Sequence, residues 1–160
     1  MSTRSRRLIG AAMLCAVLGT GWLPNALAQA PPSRASEQAT VDVTVTRLRS
    51  TRGKIWLCLW KEGATEGFPS CDKGKPLASR SAPANAPRVA FTGLLPGAYA
   101  VTMFHDEKGT GAPEMNLLGM PTSGIGLSNN PVILGPPTFA KSRFAVPATT
   151  RITIETKYLF

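Results

Sequence analysis

Apolar and polar residues alternate along much of the chain beyond residue 40. Residues 41–46, VDVTVT, have the period of two that is typical of a half-buried strand. Residues 54–61, KIWLCLWK, are apolar on both faces and predict a central strand. Trp56 and Trp60 share one face of it, and we favour core packing over sugar stacking for both. The same reading predicts further short strands over 88–91, 98–104, 139–146 and 151–158.

Glycine and proline separate these segments and mark turns, as in the LLPG sequence at 94–97. No stretch beyond residue 28 keeps a helical period over ten or more residues. The pattern therefore predicts an all-β fold, an antiparallel β-sandwich of about seven strands. Residues 62–86 are expected to form a loop-rich connection. Residues 104–130 contain five glycines and two prolines and predict one long ordered loop.

The N-terminus has the features of a secretion signal. Arg4, Arg6 and Arg7 precede an apolar run over 8–18, and an Ala-Leu-Ala sequence ends at Ala28. The run is too short to span a bilayer, so a transmembrane anchor is the less favoured alternative. We expect a periplasmic or secreted protein.

Cleavage after Ala28 divides the chain into three parts. Residues 1–28 are the predicted signal peptide, 29–39 a flexible Pro-rich tail, and 40–160 a single β-sandwich domain. Subtracting the three signal arginines from the formal charge of +9 leaves about +6. The basic residues are spread without a run of five, which argues against nucleic-acid binding but allows loose association with anionic lipid or cell-wall polymer.

Two of the three cysteines, Cys58 and Cys71, lie beyond the predicted signal. In an oxidising compartment an even count predicts one disulfide, and two unpaired thiols are the alternative. Their spacing does not fit a Cys-x-x-Cys redox pair. Two cysteines with no histidine near them in the sequence also make a poor metal site.

The long loop carries the residues best suited to contact a ligand or partner. The candidate site residues are His105, Asp106, Glu114, Asn116, Ser128, Asn129 and Asn130. The amides could line a polar pocket, or they could satisfy the backbone of the loop itself. His105 and Asp106 could serve a hydrolase with a loop hydroxyl such as Ser128, but no G-x-S-x-G sequence is present. Neighbouring strand residues also point to opposite faces. We therefore predict no catalytic residue and a protein that is not an enzyme.

Four sequence motifs together resemble a family of exported bacterial proteins known only as a domain of unknown function. They are FTGLLPGAYAV at 91–101, His105-Asp106-Glu107, GMP at 119–121 and GLSNN at 126–130. The resemblance spans about residues 41–158. The G-L-x-P-G-x-Y turn is also similar to turns of transthyretin-like and carboxypeptidase-regulatory-like sandwiches. The resemblance implies a Greek-key sandwich of the transthyretin or immunoglobulin kind, and it implies no activity.

The family's loop usually has an Asp-x-Asn-x-Asn-Gly spacing that is similar to a calcium loop. This chain has Lys108 and Thr110 at the two Asn positions and Glu114 at the last acid. Asp106, Thr110 and Glu114 alone offer too few side-chain oxygens for calcium, and the Lys108 ammonium would repel it. We predict no metal site and no cofactor, with a calcium-stabilised structural module as an alternative.

The combined expectation is a non-catalytic binding or accessory module at the cell envelope. We expect a monomer without a transmembrane anchor, whose long loop contacts an envelope component, either a protein or a polysaccharide.

Overall fold

The computed structural model describes residues 38–132 and 134–159. The predicted signal peptide and all but the end of the predicted tail lie outside these residues. The described part contains one short helix, α1, over Phe139–Ser142. It contains eight strands: β1 Ala39–Thr46, β2 Lys54–Lys61, β3 Ala78–Pro83, β4 Arg88–Leu94, β5 Gly97–Asp106, β6 Ile125–Leu127, β7 Phe144–Val146 and β8 Thr150–Glu155.

The strands form two sheets that pack face to face. The first sheet has the order β4-β1-β8, and the second has the order β3-β2-β5-β6, with β7 also paired to β5. β6 and β7 pair with different parts of β5, at Thr102–Phe104 and at Gly97–Tyr99 respectively. All pairs are antiparallel except β1 with β8, which is parallel. β5 therefore lies at the centre of the second sheet.

The main core lies between the two sheets. In β1, alternate residues from Ala39 to Val45 are buried, as the period of two predicted. The inner face of β2 contributes Ile55, Leu57 and Leu59, which pack with Phe91, Tyr99, Val101 and Ile154 in one cluster. Gly126 lets β6 lie close to this core, because a Cβ there would be 2.5 Å from Ile154 Cγ2.

A smaller cluster covers the outer face of the second sheet. Cys58, Trp60 and Ala100 are fully buried there, beneath Phe68, Cys71 and Phe139. The predicted Cys58–Cys71 disulfide is confirmed, with 5.8 Å between the two Cα atoms. It fixes the loop between β2 and β3 over β2. Trp60 packs in this cluster as predicted, and Trp56 stacks on Phe104 with ring centroids 6.4 Å apart.

The all-β sandwich is confirmed, and three local predictions were wrong. β3 lies inside the predicted 62–86 connection because ASRSAP is a polar edge strand that buries only Ala82 and has no apolar pattern to detect. β6 lies inside the predicted long loop, and three residues are too few for a period. The predicted strand 139–146 begins instead with α1, and only Phe144–Val146 is strand. Within the described residues, no helix has the length and apolar character that a membrane span requires.

Candidate functional site

His105 is the last residue but one of β5, lies on its inner face and is almost fully buried. Its Nε2 lies 2.9 Å from the Arg52 carbonyl oxygen, and its Nδ1 lies 2.8 Å from the Tyr158 hydroxyl. Because a carbonyl only accepts, Nε2 donates to the Arg52 carbonyl, and in the neutral imidazole the Tyr158 hydroxyl donates to Nδ1. The hydroxyl oxygen in turn accepts from the Arg49 backbone N–H at 3.1 Å. The two imidazole nitrogens thus hold the turn between β1 and β2 and the C-terminal segment to the second sheet.

Asp106 points to the opposite face, as expected for the next residue of a strand, and organises the loop that follows. Its carboxylate accepts backbone N–H groups from Gly109, Thr110 and Gly111 at 2.8–2.9 Å. It also accepts the Trp56 indole N–H at 3.3 Å. Burial alone would raise the pKa of Asp106, but these donors together lower it below its ordinary value. The loop's own amides therefore use the carboxylate oxygens that a calcium ion would need.

Lys108 and Glu114, two of the three departures from the calcium spacing, form an ion pair with each other at 2.9 Å. The Glu114 backbone N–H donates to the Ser123 hydroxyl at 2.9 Å, which closes the loop on itself. Asn116 makes a local turn, since its side-chain oxygen accepts the N–H groups of Leu118 and Met120. In the described ranges, no group of three or more His, Cys, Asp or Glu side chains is placed to hold a metal ion.

Ser128, Asn129 and Asn130 join β6 to neighbouring elements. The buried Ser128 hydroxyl accepts the Val101 N–H at 2.9 Å and donates to the Ser142 carbonyl. Asn129 and Asn130 have φ of 64° and 47°, a left-handed conformation that asparagine tolerates. The Asn130 amide bonds the β8 backbone twice, donating to the Thr153 carbonyl at 3.0 Å and accepting the Glu155 N–H at 2.8 Å.

The seven predicted site residues all bond to other parts of the fold. Each has a hydrogen-bonding or ion-pairing partner in the fold, and no two of them bond to each other within 38–132 and 134–159. Their use as ligand contacts stays a prediction.

Glu107 is a polar feature that the sequence reasoning missed. Its carboxylate accepts from the Arg49 guanidinium at 2.9 Å and from the Ser50 hydroxyl at 2.6 Å. The Arg49 guanidinium also stacks over the Tyr158 ring at 4.5 Å. The hydrogen bonds from Arg49, and then from Ser50, lower the pKa of Glu107 from 4.5 to about 2. A glutamate three residues after a predicted strand end, with arginine and serine in a preceding turn, was the available signal.

A second missed feature is an apolar cavity of about 600 Å³ on the outer face of the second sheet. Thr102, Phe104 and Ile125 form part of its floor. Its walls come from three loops and the C-terminal segment, with contributions from 69–71, 113–121, 135–137 and Leu159. Cavities of this size accommodate small organic ligands. The disulfide holds one wall in place, because Cys71 is itself a lining residue.

Methionine is concentrated at this cavity. The chain has five methionines, and of the three beyond the predicted signal Met115 and Met120 line it from the loops, whereas the Met103 side chain lies in the main core. Unbranched, polarisable side chains adapt to irregular apolar surfaces, so a methionine-lined cavity can fit ligands of varied shape.

Four exposed aliphatic residues, which we call the apolar rim, lie on the loops that wall the cavity: Leu117, Leu118, Val132 and Leu134. Leu117 is 106% and Leu134 89% exposed. Leu117 and Leu118 occupy the turn between the lining residues Met115 and Met120. Val132 and Leu134 line a small recess that shares 135–137 and Leu127 with the cavity. Two adjacent leucines in a loop rich in glycine and proline were the sequence signal for this surface.

A single basic residue lies beside the cavity, on the recess. Among the described residues that line the cavity and the recess, none is acidic, and Lys141 is the one charged residue. Lys141 forms no ion pair within the part of the chain that the structure describes. An apolar cavity next to a basic side chain suits a ligand that has an apolar body and an anionic end.

The chain matches a known protein family. Residues 43–155 match the family described as an uncharacterized protein conserved in bacteria, DUF2141, and the chain belongs to it. This confirms the resemblance to an uncharacterised bacterial family. No curated protein and no solved structure matches the chain.

Proposed function

We propose that this member of the uncharacterised bacterial family is a non-catalytic binding module outside the cytoplasm, and that its ligand is apolar. The observation that carries the proposal is the cavity of about 600 Å³ over β5 and β6. Burying a ligand methylene there contributes about 0.8 kcal/mol, so a short alkyl chain or a compact apolar ring supplies enough free energy to bind. The disulfide supports an oxidising compartment.

The surroundings of His105 and Asp106 support a binding role over a hydrolytic one. A general base needs a nitrogen or oxygen within reach of the substrate. The His105 nitrogens and the Asp106 oxygens already have partners in the fold. Neither residue lines the cavity, among the described lining residues. The lining also favours an apolar ligand over the polysaccharide expected from the sequence, since sugar recognition needs convergent polar groups.

Titration with 1-N-phenylnaphthylamine, which fluoresces in apolar surroundings, tests the proposal. The exported protein is used, with its N-terminus checked by intact mass. We expect saturable binding to one site. Met115→Glu, which places a carboxylate in the lining, is expected to weaken binding about tenfold or more, because a charge resists transfer to an apolar site. Leu77→Glu is the matched control, since Leu77 is 52% exposed and Met115 49%.

A second variant fills the cavity instead of charging it. Ile125→Trp adds bulk to the floor and is expected to displace the probe while the melting temperature shows that the fold is kept. Absence of saturable probe binding by the unaltered protein would contradict the proposal. Equal loss of binding in Met115→Glu and Leu77→Glu would also contradict it.

A further inference from the structure

Most of the large exposed apolar residues that the structure describes line the cavity or lie on the loops that wall it. Nine large hydrophobic residues in the described ranges are exposed. Seven of these either line the cavity, as Met115, Met120 and Leu159 do, or form the apolar rim. Only Leu77 and Leu95 do neither. Scattered exposed leucines are ordinary on a soluble protein, but a group around a cavity marks an interaction surface.

The chemistry of the rim fits a lipid surface better than a protein partner. Its four members are all aliphatic, whereas residues that dominate protein–protein binding are mostly Trp, Tyr and Arg. Aliphatic side chains insert into the acyl-chain region of a bilayer without needing a surface of complementary shape. Leu117 and Leu118 sit side by side at a turn, so both can enter a bilayer together.

The charge fits an anionic lipid surface. The chain beyond the predicted signal carries about +6, counting three arginines fewer than the total of +9. Lys141 lies on the recess beside Val132 and Leu134. The acid nearest in sequence to the rim, Glu114, is paired with Lys108 at 2.9 Å. Anionic headgroups would therefore meet a basic side chain beside the rim.

We propose that the apolar rim docks the protein on an anionic phospholipid membrane, so that the cavity takes its apolar ligand, an acyl chain, from the bilayer. This rests on the proposed function, because it assigns the class and source of the ligand of that same cavity. Docking places Met115 and Met120, which line the cavity, next to the membrane through the turn that they flank.

Vesicle flotation tests this inference with the exported protein. Vesicles containing equal amounts of phosphatidylglycerol and phosphatidylcholine are compared with vesicles of phosphatidylcholine alone. We expect binding to the anionic vesicles that weakens as salt rises. Leu117→Glu/Leu118→Glu is expected to lose about tenfold or more in vesicle affinity, since it removes two apolar residues and adds two charges. Leu77→Glu/Leu95→Glu changes the same residue types and charge away from the rim and is expected to keep binding above that of the rim variant.

The titration with 1-N-phenylnaphthylamine distinguishes loss of membrane docking from loss of ligand binding in the cavity. Leu117 and Leu118 are not among the lining residues, so their variant is expected to bind the probe in water like the unaltered protein. Probe binding without any vesicle binding would overturn the membrane inference and leave a protein partner to cover the rim. Equal losses of vesicle affinity in the rim variant and the control variant would show that the added negative charge alone weakens binding. That result would also overturn the membrane inference. Lys141→Glu is expected to weaken binding only to the anionic vesicles.

Discussion

The two halves of the long loop use their side chains in opposite ways. From Asp106 to Glu114, polar groups bond within the loop or to β2 and the turn between β1 and β2. The Asp106 carboxylate alone accepts three backbone N–H groups and an indole, and Glu107 accepts from Arg49 and Ser50. From Met115 to Pro121, apolar side chains face a cavity or solvent. Polar residues here stabilise the loop, and the exposed apolar residues form the surface available to a ligand. A polar residue in this loop therefore does not by itself indicate a ligand site.

The largest change in the free energy of unfolding is expected from a substitution at Asp106, because this residue makes the most hydrogen bonds in the polar half of the loop, from Asp106 to Glu114. Asp106→Ala should lower the free energy of unfolding by about 3 kcal/mol, because four donors lose a charged, buried acceptor. Glu114→Ala, which removes the carboxylate of a surface ion pair, should cost less than about 1 kcal/mol. Denaturant unfolding measures both. Equal stability of the two variants would mean that Asp106 does not organise the polar half.

A smaller effect is expected from Glu107 as pH falls. Since its folded pKa of about 2 lies below the ordinary 4.5, its ion pair stabilises the protein above pH 4.5. This stabilisation is lost progressively as pH falls from 4.5 towards 2. The loss should be about 2 kcal/mol, after discounting for the half-exposed Arg49. The free energy of unfolding measured across this range should fall less in Glu107→Gln than in the unaltered protein.

Glu62→Gln provides the control for this titration. Glu62 also pairs with an arginine, Arg143, but its side chain is 56% exposed against 15% for Glu107. Its variant should follow the pH dependence of the unaltered protein. A Glu107→Gln protein with an unchanged acid profile would mean that this pair does not stabilise the end of β5.

The sequence predicted the sandwich because its core strands carry strong periods. Alternate burial in β1 and two-sided burial in β2 follow directly from VDVTVT and KIWLCLWK. The edge strand β3 buries only Ala82, and β6 has three residues, so neither has a pattern to detect. The cavity was missed for a different reason. Its lining comes from three loops separated in sequence, and only the packing of those loops over β5 brings the residues together.

We expect a ligand to enter the apolar cavity and to leave the surroundings of His105 unchanged. Methionine methyl NMR tests this directly, because Met115 and Met120 line the cavity. Titration of the exported protein, labelled with ¹³C at the methionine methyls, with dodecanoate should shift the signals of Met115 and Met120. The His105 ring signals, followed in the same titration, should stay in place. Shifts confined to the His105 ring signals, with the methionine methyl signals unmoved, would contradict ligand binding in the cavity.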